Sequence, residues 1–178
     1  TLASYIFNQD EVLHQGPIPA FWRAPTDNDI GAGFNKLFRA WRNAYEVSSN
    51  INIEVSKIND GQYQLKITKQ LLNGDASHQQ IFNIYSDGSI KVDNHFEAIK
   101  GKYPLLLRAG NDLVLNKNYD KISWYGRGPG ESYWDRKTNT SIAQFTQSIG
   151  EQYYPYARPQ ESGNKTEVRW VSMTNTNG

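Results

Sequence analysis

The chain has 178 residues, with 19 basic and 18 acidic side chains and no cysteine. This length fits one domain, which we place over residues 1–178. A net charge of +1 without a basic stripe argues against nucleic-acid binding, because phosphate contacts need clustered positive charge. The absence of cysteine excludes disulfides, thiolate catalysis and thiolate-bound metals.

Metal sites and membrane spans are not indicated either. His14, His78 (in a polar turn) and His95 are too scattered to suggest a metal site, so no metal ligands are predicted. No apolar run approaches the roughly 20 residues that span a bilayer. The first residues lack the basic start and long apolar centre of a signal peptide, which leaves a cytoplasmic or a periplasmic location open. The chain stops directly after a strand-like segment, and we therefore expect it to be incomplete at its C-terminal end.

In chain order, the pattern predicts a hairpin over residues 3–16 and then one amphipathic helix over residues 33–45. The helix is inferred from apolar side chains at helical spacing, which are Phe34, Leu37, Phe38, Trp41 and Tyr45. From residue 51 onward, short alternating segments separated by turn residues predict at least nine strands, including residues 105–108 and 168–171. Their regular spacing favours an all-β fold, a large antiparallel sandwich, over alternating β-α-β units.

The first of three distinctive segments, FWRAPTDNDIG at residues 21–31, leads from extended backbone into Asp27, Asn28 and Asp29. These side chains typically form turns and caps. Carboxylate oxygens also bind hard cations, but the remaining ligands and the spacing of a calcium loop are missing. A structural turn is therefore predicted here.

The second segment, WYGRGPGESYWDRK at residues 124–137, contains three glycines around a proline, a composition that excludes a helix interior. It therefore predicts a tight loop leaving a strand. Its aromatic and charged side chains are typical of a sugar-contacting or interface surface. The other interpretation is a folding corner, in which Arg127 and Arg136 hold Glu131 and Asp135 in ion pairs.

The third segment, YPYARPQESGNKTEVRW at residues 154–170, begins aromatic and extended, turns near Gly163 and returns as a strand. Arg158, Glu161 and Asn164 carry the polar groups that sugar hydroxyls bind. They equally suit a buried hydrogen-bond network that fixes this corner of the fold.

Together the three segments resemble the C-terminal small-chain domain, domain 5, of β-galactosidases of glycoside hydrolase family two. The resemblance implies a supersandwich similar to galactose mutarotase, and a parent enzyme that hydrolyses terminal non-reducing β-D-galactosides with retention. It places both catalytic glutamates on a barrel that this chain does not match, and Mg and Na sites on other domains. No cofactor is therefore expected in this chain. The implied partners are the remaining domains or a large subunit, galactosides as substrates of the whole enzyme, and further copies in a homo-oligomer.

Two acid pairs in this chain are candidates for catalytic groups, because retention needs two carboxylates about 5–5.5 Å apart. Nothing in the sequence indicates a raised pKa for Asp27 or Asp29. Glu131 and Glu161 each have an arginine nearby in sequence, which keeps a carboxylate ionised and favours a structural pair. We therefore predict no catalytic residue in this chain.

Three functions follow from these observations. The first is a non-catalytic domain that supports the barrel and the oligomer. The second is a carbohydrate-binding module with a sugar platform at Trp124, Tyr125, Arg127 and Trp134. The third, an aldose epimerase, needs a general acid and base, and the histidine contexts make it the least favoured. The candidate residues for sugar binding or an interdomain network are Arg23, Asp27, Asn28, Trp124, Arg127, Glu131, Trp134, Asp135, Arg136, Arg158, Glu161 and Asn164.

Overall fold

The computed structural model describes residues 2–104 and 106–175, and this part of the chain is mainly β-structure. Its strands are β1 (Ile6–Phe7), β2 (Asp10–Glu11), β3 (Leu13–Ala20), β4 (Ser49–Asn59), β5 (Gln62–Leu71), β6 (Ala76–Tyr85), β7 (Ile90–Ala98), β8 (Gly110–Leu115), β9 (Lys121–Gly128), β10 (Ser141–Ser148) and β11 (Trp170–Thr174). Its α-helices are α1 (Asp27–Gly31) and α2 (Phe34–Leu37). Short 3₁₀ turns lie at Arg39–Trp41, Leu72–Gly74 and Gly150–Gln152.

All strand pairing in the described residues is antiparallel, which confirms the predicted all-β class. The largest sheet has the order β4-β5-β6-β7, and a second has the order β10-β9-β11. Strand β1 pairs with β2 in an N-terminal hairpin that is shorter than the one predicted over residues 3–16, because the chain from Leu13 onward forms β3 and pairs with β8. Antiparallel neighbours that follow one another in sequence need only short turns, and Asp-Gly pairs supply two of these turns.

The core lies against one face of the largest sheet. Ile67 of β5 and Phe82 of β6 are buried on that face, because alternate strand residues point to the same side. Gln80 is buried beside them, and its amide Nε2 donates to Oδ1 of Asn111 on β8 at 2.8 Å. This bond ties the large sheet to the β3-β8 pair and satisfies the buried Nε2 donor of Gln80, whereas Oε1 of the same amide is buried and accepts no hydrogen bond in the described residues.

The predicted continuous helix over residues 33–45 is wrong in its extent. The backbone forms the single turn α2, then the 3₁₀ turn that ends at Trp41. Trp41 packs against Phe21 and Phe96, and its indole nitrogen donates to the carbonyl of Pro104 at 3.0 Å. The apolar stripe does reach the core, where Phe38, Trp41 and Tyr45 are buried, but Leu37 is exposed. The packing of Trp41 against Phe21 and Phe96 therefore outweighs the helix that the apolar spacing predicts.

Two predicted strands also differ from the structure. Residues 106–108 are not in a strand, and the rest of that prediction, residue 105, lies outside the described residues. The last strand begins at Trp170, because Glu167 has a positive φ of 55° that interrupts extended backbone just before it. The remaining segments beyond residue 51 are strands.

Strand β4 is an edge strand with an exposed apolar side. Ile51, Ile53 and Val55 alternate along it and are all more than half exposed. Ile53 and Val55 share the sheet face of Ile67 and Leu65, because these residues pair directly in the register of β4 and β5. The apolar face of this sheet therefore continues onto β4, where the described residues leave it exposed to solvent.

Among the described residues, none of the helices has both the length and the apolar character needed to cross a bilayer.

His78 makes the stability of the fold depend on pH. The side chain is 3% exposed between the rings of Phe21 and Tyr45, in β6 rather than in the polar turn expected. Burial lowers the pKa of His78 to about 4, from 6.5. The unfolded chain therefore binds a proton that the folded chain does not between these values, and stability falls as pH falls from about 6.5 to about 4. We expect a loss of about 2 kcal/mol in the free energy of unfolding between pH 7 and pH 5, measured by urea denaturation.

The variant His78→Gln is the control for this effect, since it removes the titrating group. Its free energy of unfolding should change less between pH 7 and pH 5 than that of the original chain. Equal pH dependence in both chains would show that other groups are responsible.

The stability of the fold also depends on the absence of a side chain at Gly126. A Cβ at Gly126 would lie 2.8 Å from the Cα of Val168, a backbone atom that cannot move aside cheaply. We expect Gly126→Ala to destabilise the fold by about 1–3 kcal/mol, the usual range for overpacking. Gly150→Ala is the matched control, because a Cβ there meets nothing within 4 Å, and it should change stability by less than about 0.5 kcal/mol. Thermal and urea unfolding of both variants would measure the difference.

Candidate functional site

The first distinctive segment forms α1 and its cap rather than the predicted turn. The backbone amide of Asp29 donates to Oγ1 of Thr26 at 3.2 Å, and the amide of Thr26 donates to Oδ2 of Asp29 at 2.8 Å. This reciprocal capping box satisfies two amides that the helix itself leaves without partners. A threonine followed three residues later by an acidic residue is the sequence signature of a capping box, and Thr26 and Asp29 have this spacing. From the sequence we instead predict a turn here.

Arg23 joins the first segment to the third. Its Nη1 lies 2.5 Å from Oδ2 of Asp29 and 3.0 Å from Oε2 of Glu161. The backbone amide of Glu161 also donates to the carbonyl of Pro25 at 3.2 Å. All three charged side chains are mostly buried, so their mutual pairing compensates the loss of water around them.

The two carboxylates respond differently to this environment. Burial opposes ionisation of Asp29, but hydrogen bonds from Arg23 and Thr26 outweigh it and lower the pKa of Asp29. For Glu161 burial dominates and raises the pKa, even though Arg23 favours the charged form. The arginine that pairs with Glu161 is Arg23, far away in the sequence, and not the nearby Arg158.

Asp27 and Asn28 connect α1 to both other segments. The backbone amide of Asp27 donates to Oε1 of Gln160 at 3.1 Å, and Nε2 of Gln160 donates back to Oδ2 of Asp27 at 3.2 Å. Asn28 donates from Nδ2 to Oδ2 of Asp135 at 3.0 Å. Arg158, largely exposed, lies 3.9 Å from Oδ1 of Asp27 and contributes only a loose ion pair.

Glu131 links the second segment to the third. Its Oε2 accepts the backbone amide of Gly163 at 2.9 Å, and its Oε1 accepts the hydroxyl of Tyr156. Arg136 lies 3.6 Å from the same carboxylate and donates to the Tyr156 hydroxyl at 3.0 Å. The predicted pairing of Arg136 with Glu131 is present, whereas Asp135 pairs with Asn28 instead of an arginine.

Asn164 binds a residue that sequence reasoning missed, Ser132. The amide of Ser132 donates to the carbonyl of Asn164 at 2.8 Å, and the side-chain Nδ2 of Asn164 donates to the carbonyl of Ser132 at 2.7 Å. The Ser132 hydroxyl, fully buried, also accepts the amide of Thr166 at 2.9 Å. A serine inside a charged loop gives no sequence signal for this role.

Arg127 does not pair with Glu131 or Asp135 as predicted. Its Nε donates to Oε2 of Glu167 at 2.8 Å, and its Nη1 donates to the carbonyls of Lys137 at 3.3 Å and Thr140 at 3.1 Å. Glu167 also receives Nζ of Lys137 at 3.2 Å. Arg127 thus closes the second segment onto itself and onto the third.

The two tryptophans of the second segment have opposite environments. Trp124 is 1% exposed, packs against Phe145 and donates its indole N–H to the carbonyl of Arg127 at 3.0 Å. It offers no ring face to a ligand, so its place in the predicted sugar platform is wrong. Trp134 is 90% exposed, with Nζ of Lys137 4.4 Å from its ring centroid.

These contacts define one three-segment network over residues 21–31, 124–137 and 154–170. Its carboxylates act mainly as hydrogen-bond acceptors and ion-pair partners inside the protein. Tyr133, at its centre, has its pKa raised to about 12 by burial and by the charges on Glu131 and Glu161, so its hydroxyl stays protonated. Within residues 2–104 and 106–175, no group of three or more histidine, aspartate or glutamate side chains is placed to hold a metal ion.

Arg127→Ala tests whether this network stabilises the fold. Removing the guanidinium takes one charged donor from Glu167, which keeps only Lys137, and one from each of the carbonyls of Lys137 and Thr140, so we expect a loss of about 1–3 kcal/mol in the free energy of unfolding. Arg158→Ala is the matched control and should change it by less than about 0.5 kcal/mol. If urea denaturation gives Arg127→Ala the same stability as the control, the network has no stabilising role.

Comparison with known proteins identifies the family. Residues 1–178 match the family described as Beta galactosidase small chain. The chain is 38% identical to the beta-galactosidase of Priestia megaterium, over 98% of this chain and 17% of that protein. It is 32% identical to the beta-galactosidase of Halalkalibacterium halodurans, over 100% of this chain and 18% of that protein. It is 33% identical to that of Lactobacillus delbrueckii subsp. bulgaricus, over 94% and 16%. The chain thus spans less than a fifth of each of these relatives, and it belongs to the beta-galactosidase small-chain family.

Proposed function

We propose that this chain is the non-catalytic C-terminal domain, domain 5, of a glycoside hydrolase family two β-galactosidase. The observation that carries the proposal is the match to a small-chain family along residues 1–178, together with the small share of each relative that the chain spans. The parent enzyme would hydrolyse terminal non-reducing β-D-galactosides with retention. Its Mg and Na ions, and its two catalytic glutamates, would be held outside this chain.

The chemistry of the network supports a non-catalytic role. Retaining hydrolysis needs one ionised carboxylate as nucleophile and one protonated acid, both facing the glycosidic bond. Glu161 has the raised pKa of an acid, but its carboxylate is mostly buried and bonded to Arg23. Glu131 is similarly engaged by Tyr156 and Gly163. Neither group is free to approach a sugar.

A structural role accounts for the same contacts. The network fixes three loops that are far apart in sequence, and a rigid surface of this kind can position a neighbouring domain or subunit. We propose that the partner is the catalytic portion of the enzyme, as further domains of one polypeptide or as a separate large subunit. The small-chain domain would then contribute to catalysis by holding that portion, and the oligomer, in their active arrangement.

Hydrolysis of a chromogenic β-galactoside tests this proposal. We expect no hydrolysis by the 178-residue chain alone, because Glu131 and Glu161 are held by protein donors, and a gain of activity when it is mixed with a polypeptide that carries the catalytic barrel. Hydrolysis by the chain alone would contradict the proposal.

Two variants sharpen the experiment. Arg158→Ala should complement the barrel polypeptide as well as the original chain does, because Arg158 is largely exposed and loosely paired. Arg127→Ala should complement less well at temperatures where its fold is weakened. Failure of the original, folded chain to restore any activity would argue against a supporting role.

A further inference from the structure

A groove of about 590 Å³ lies beside α2 and the 3₁₀ turn that follows it. We call it the basic groove, and its lining includes Trp22, Lys36, Arg39 and Arg42. Residues 30–45 contain these three cations and no acidic residue. All three are exposed, and none of their side chains has an ion-pair or hydrogen-bond partner within the described residues. The groove therefore carries three positive charges without a counter-charge in this part of the chain.

The backbone of this segment aligns the cations. Lys36, Arg39 and Arg42 recur at intervals of three residues, and a 3₁₀ turn places side chains at that interval directly above one another. The amide of Arg42 donates to the carbonyl of Arg39 at 3.1 Å, which is the hydrogen bond of such a turn. In a continuous α-helix each of these cations would lie about 60° further around the axis than the one before it. The 3₁₀ turn that replaces the predicted helix thus brings Arg39 and Arg42 to the same side, with Lys36 one turn earlier.

These cations differ from the arginines of the three-segment network. Arg23, Arg127 and Arg136 each have a carboxylate partner, at 2.5, 2.8 and 3.6 Å respectively. Like charges that gather without a counter-charge repel one another and destabilise the compact state. A bound anion relieves that repulsion, so the charges of the basic groove favour an anionic ligand.

The spread of the cations indicates an extended ligand. The six residues from Lys36 to Arg42 rise about 9–12 Å along the axis, at about 1.5–2.0 Å per residue. Carboxylates on alternate residues of an extended peptide lie about 7 Å apart, so two of them can face this row of cations together. Nucleic-acid-binding proteins contact more of the backbone, often about 6–10 phosphates, and three cations are few for that purpose. An acidic stretch of polypeptide matches the row better.

Trp22 adds an apolar contact in the same groove. Its side chain is half-buried and packs against the buried aromatic core, and within the described residues no cation lies over its ring. A side chain that packing already holds in place loses little conformational freedom when a partner binds. Tryptophan and arginine are also the residues that most often dominate the binding energy of protein interfaces.

From this arrangement we propose that the basic groove binds an acidic segment of polypeptide. Carboxylates of the segment pair with Lys36, Arg39 and Arg42, and an apolar side chain between them contacts Trp22. The interaction is reversible ion pairing without chemistry. The inference rests on the charges and shape of this chain, and it does not depend on the activity of the parent enzyme.

A labelled acidic peptide tests this proposal. The probe is a short fluorescein-labelled peptide of aspartate and glutamate around a central leucine, and its matched control has asparagine and glutamine in place of the acids. Fluorescence polarisation should show that the acidic peptide binds the folded 178-residue chain and that the neutral peptide does not. Raising the NaCl concentration from about 0.1 M to about 1 M should weaken binding severalfold, because the screening length falls from about 10 Å to about 3 Å.

Variants locate the peptide on the chain. Arg39→Gln combined with Arg42→Gln should weaken binding of the acidic peptide about tenfold, because two ion pairs are lost. Lys117→Gln combined with Lys121→Gln is the matched control, since it removes two exposed cations that lie outside the groove and have no ion pair in the described residues. It should leave binding unchanged. Unfolding curves establish that each variant is folded, and Lys36→Gln gives a second test within the groove.

The results that would overturn the proposal are distinct. Absence of binding, equal binding of the acidic and neutral peptides, or equal binding by the groove variants and the original chain contradicts it. Inorganic phosphate that displaces the peptide at a lower concentration than unlabelled peptide does would identify a phosphate site instead. Tighter binding of a single-stranded oligonucleotide than of the peptide would make the occupant a nucleic acid and refute the acidic polypeptide.

Discussion

The pairing of Arg23 with Asp29 and Glu161 is the interaction on which the rest of the site depends. One guanidinium serves two carboxylates, and Glu161 lies 138 positions away along the chain. Charges removed from water are tolerated only when they are paired and hydrogen-bonded, so the three groups must come together. Their meeting brings the third segment against α1, and the contacts of Asp27 and Asn28 extend that arrangement to the second segment.

The same constraint explains why residues whose composition suggests chemistry are bonded to one another inside the protein. Acids, arginines and aromatics concentrated in glycine-rich loops are the composition of an active site, and also of a buried polar corner. The difference lies in where the oxygens point. Both oxygens of Glu131 and Oε2 of Glu161 accept hydrogen bonds from protein donors, and Tyr133 remains protonated near both acids. Asp135 differs from them because it has no cationic partner within the described residues and accepts only the side-chain amide of Asn28.

The strands could be predicted because their pattern is local. Alternation along β5 and β6 requires only that every second side chain face the core. The prediction of a continuous helix over residues 33–45 was wrong because Trp41 packs against Phe21, and the spacing of apolar residues along the sequence does not indicate that contact. Sequence reasoning pairs Arg127 within its own loop, but its carboxylate partner is Glu167, 40 positions away. When the two partners of an ion pair lie far apart in the sequence, no local sequence pattern indicates that they will meet.

The apolar edge along β4 makes the stability of this fold conditional on its surroundings. Anything that binds only the folded state and covers Ile53 and Val55 removes apolar surface from water and raises the free energy of unfolding by mass action. The melting temperature of the chain is then a function of the concentration and affinity of whatever lies on that face. Folding and assembly become one linked equilibrium, in which the domain is most stable where its neighbour is present.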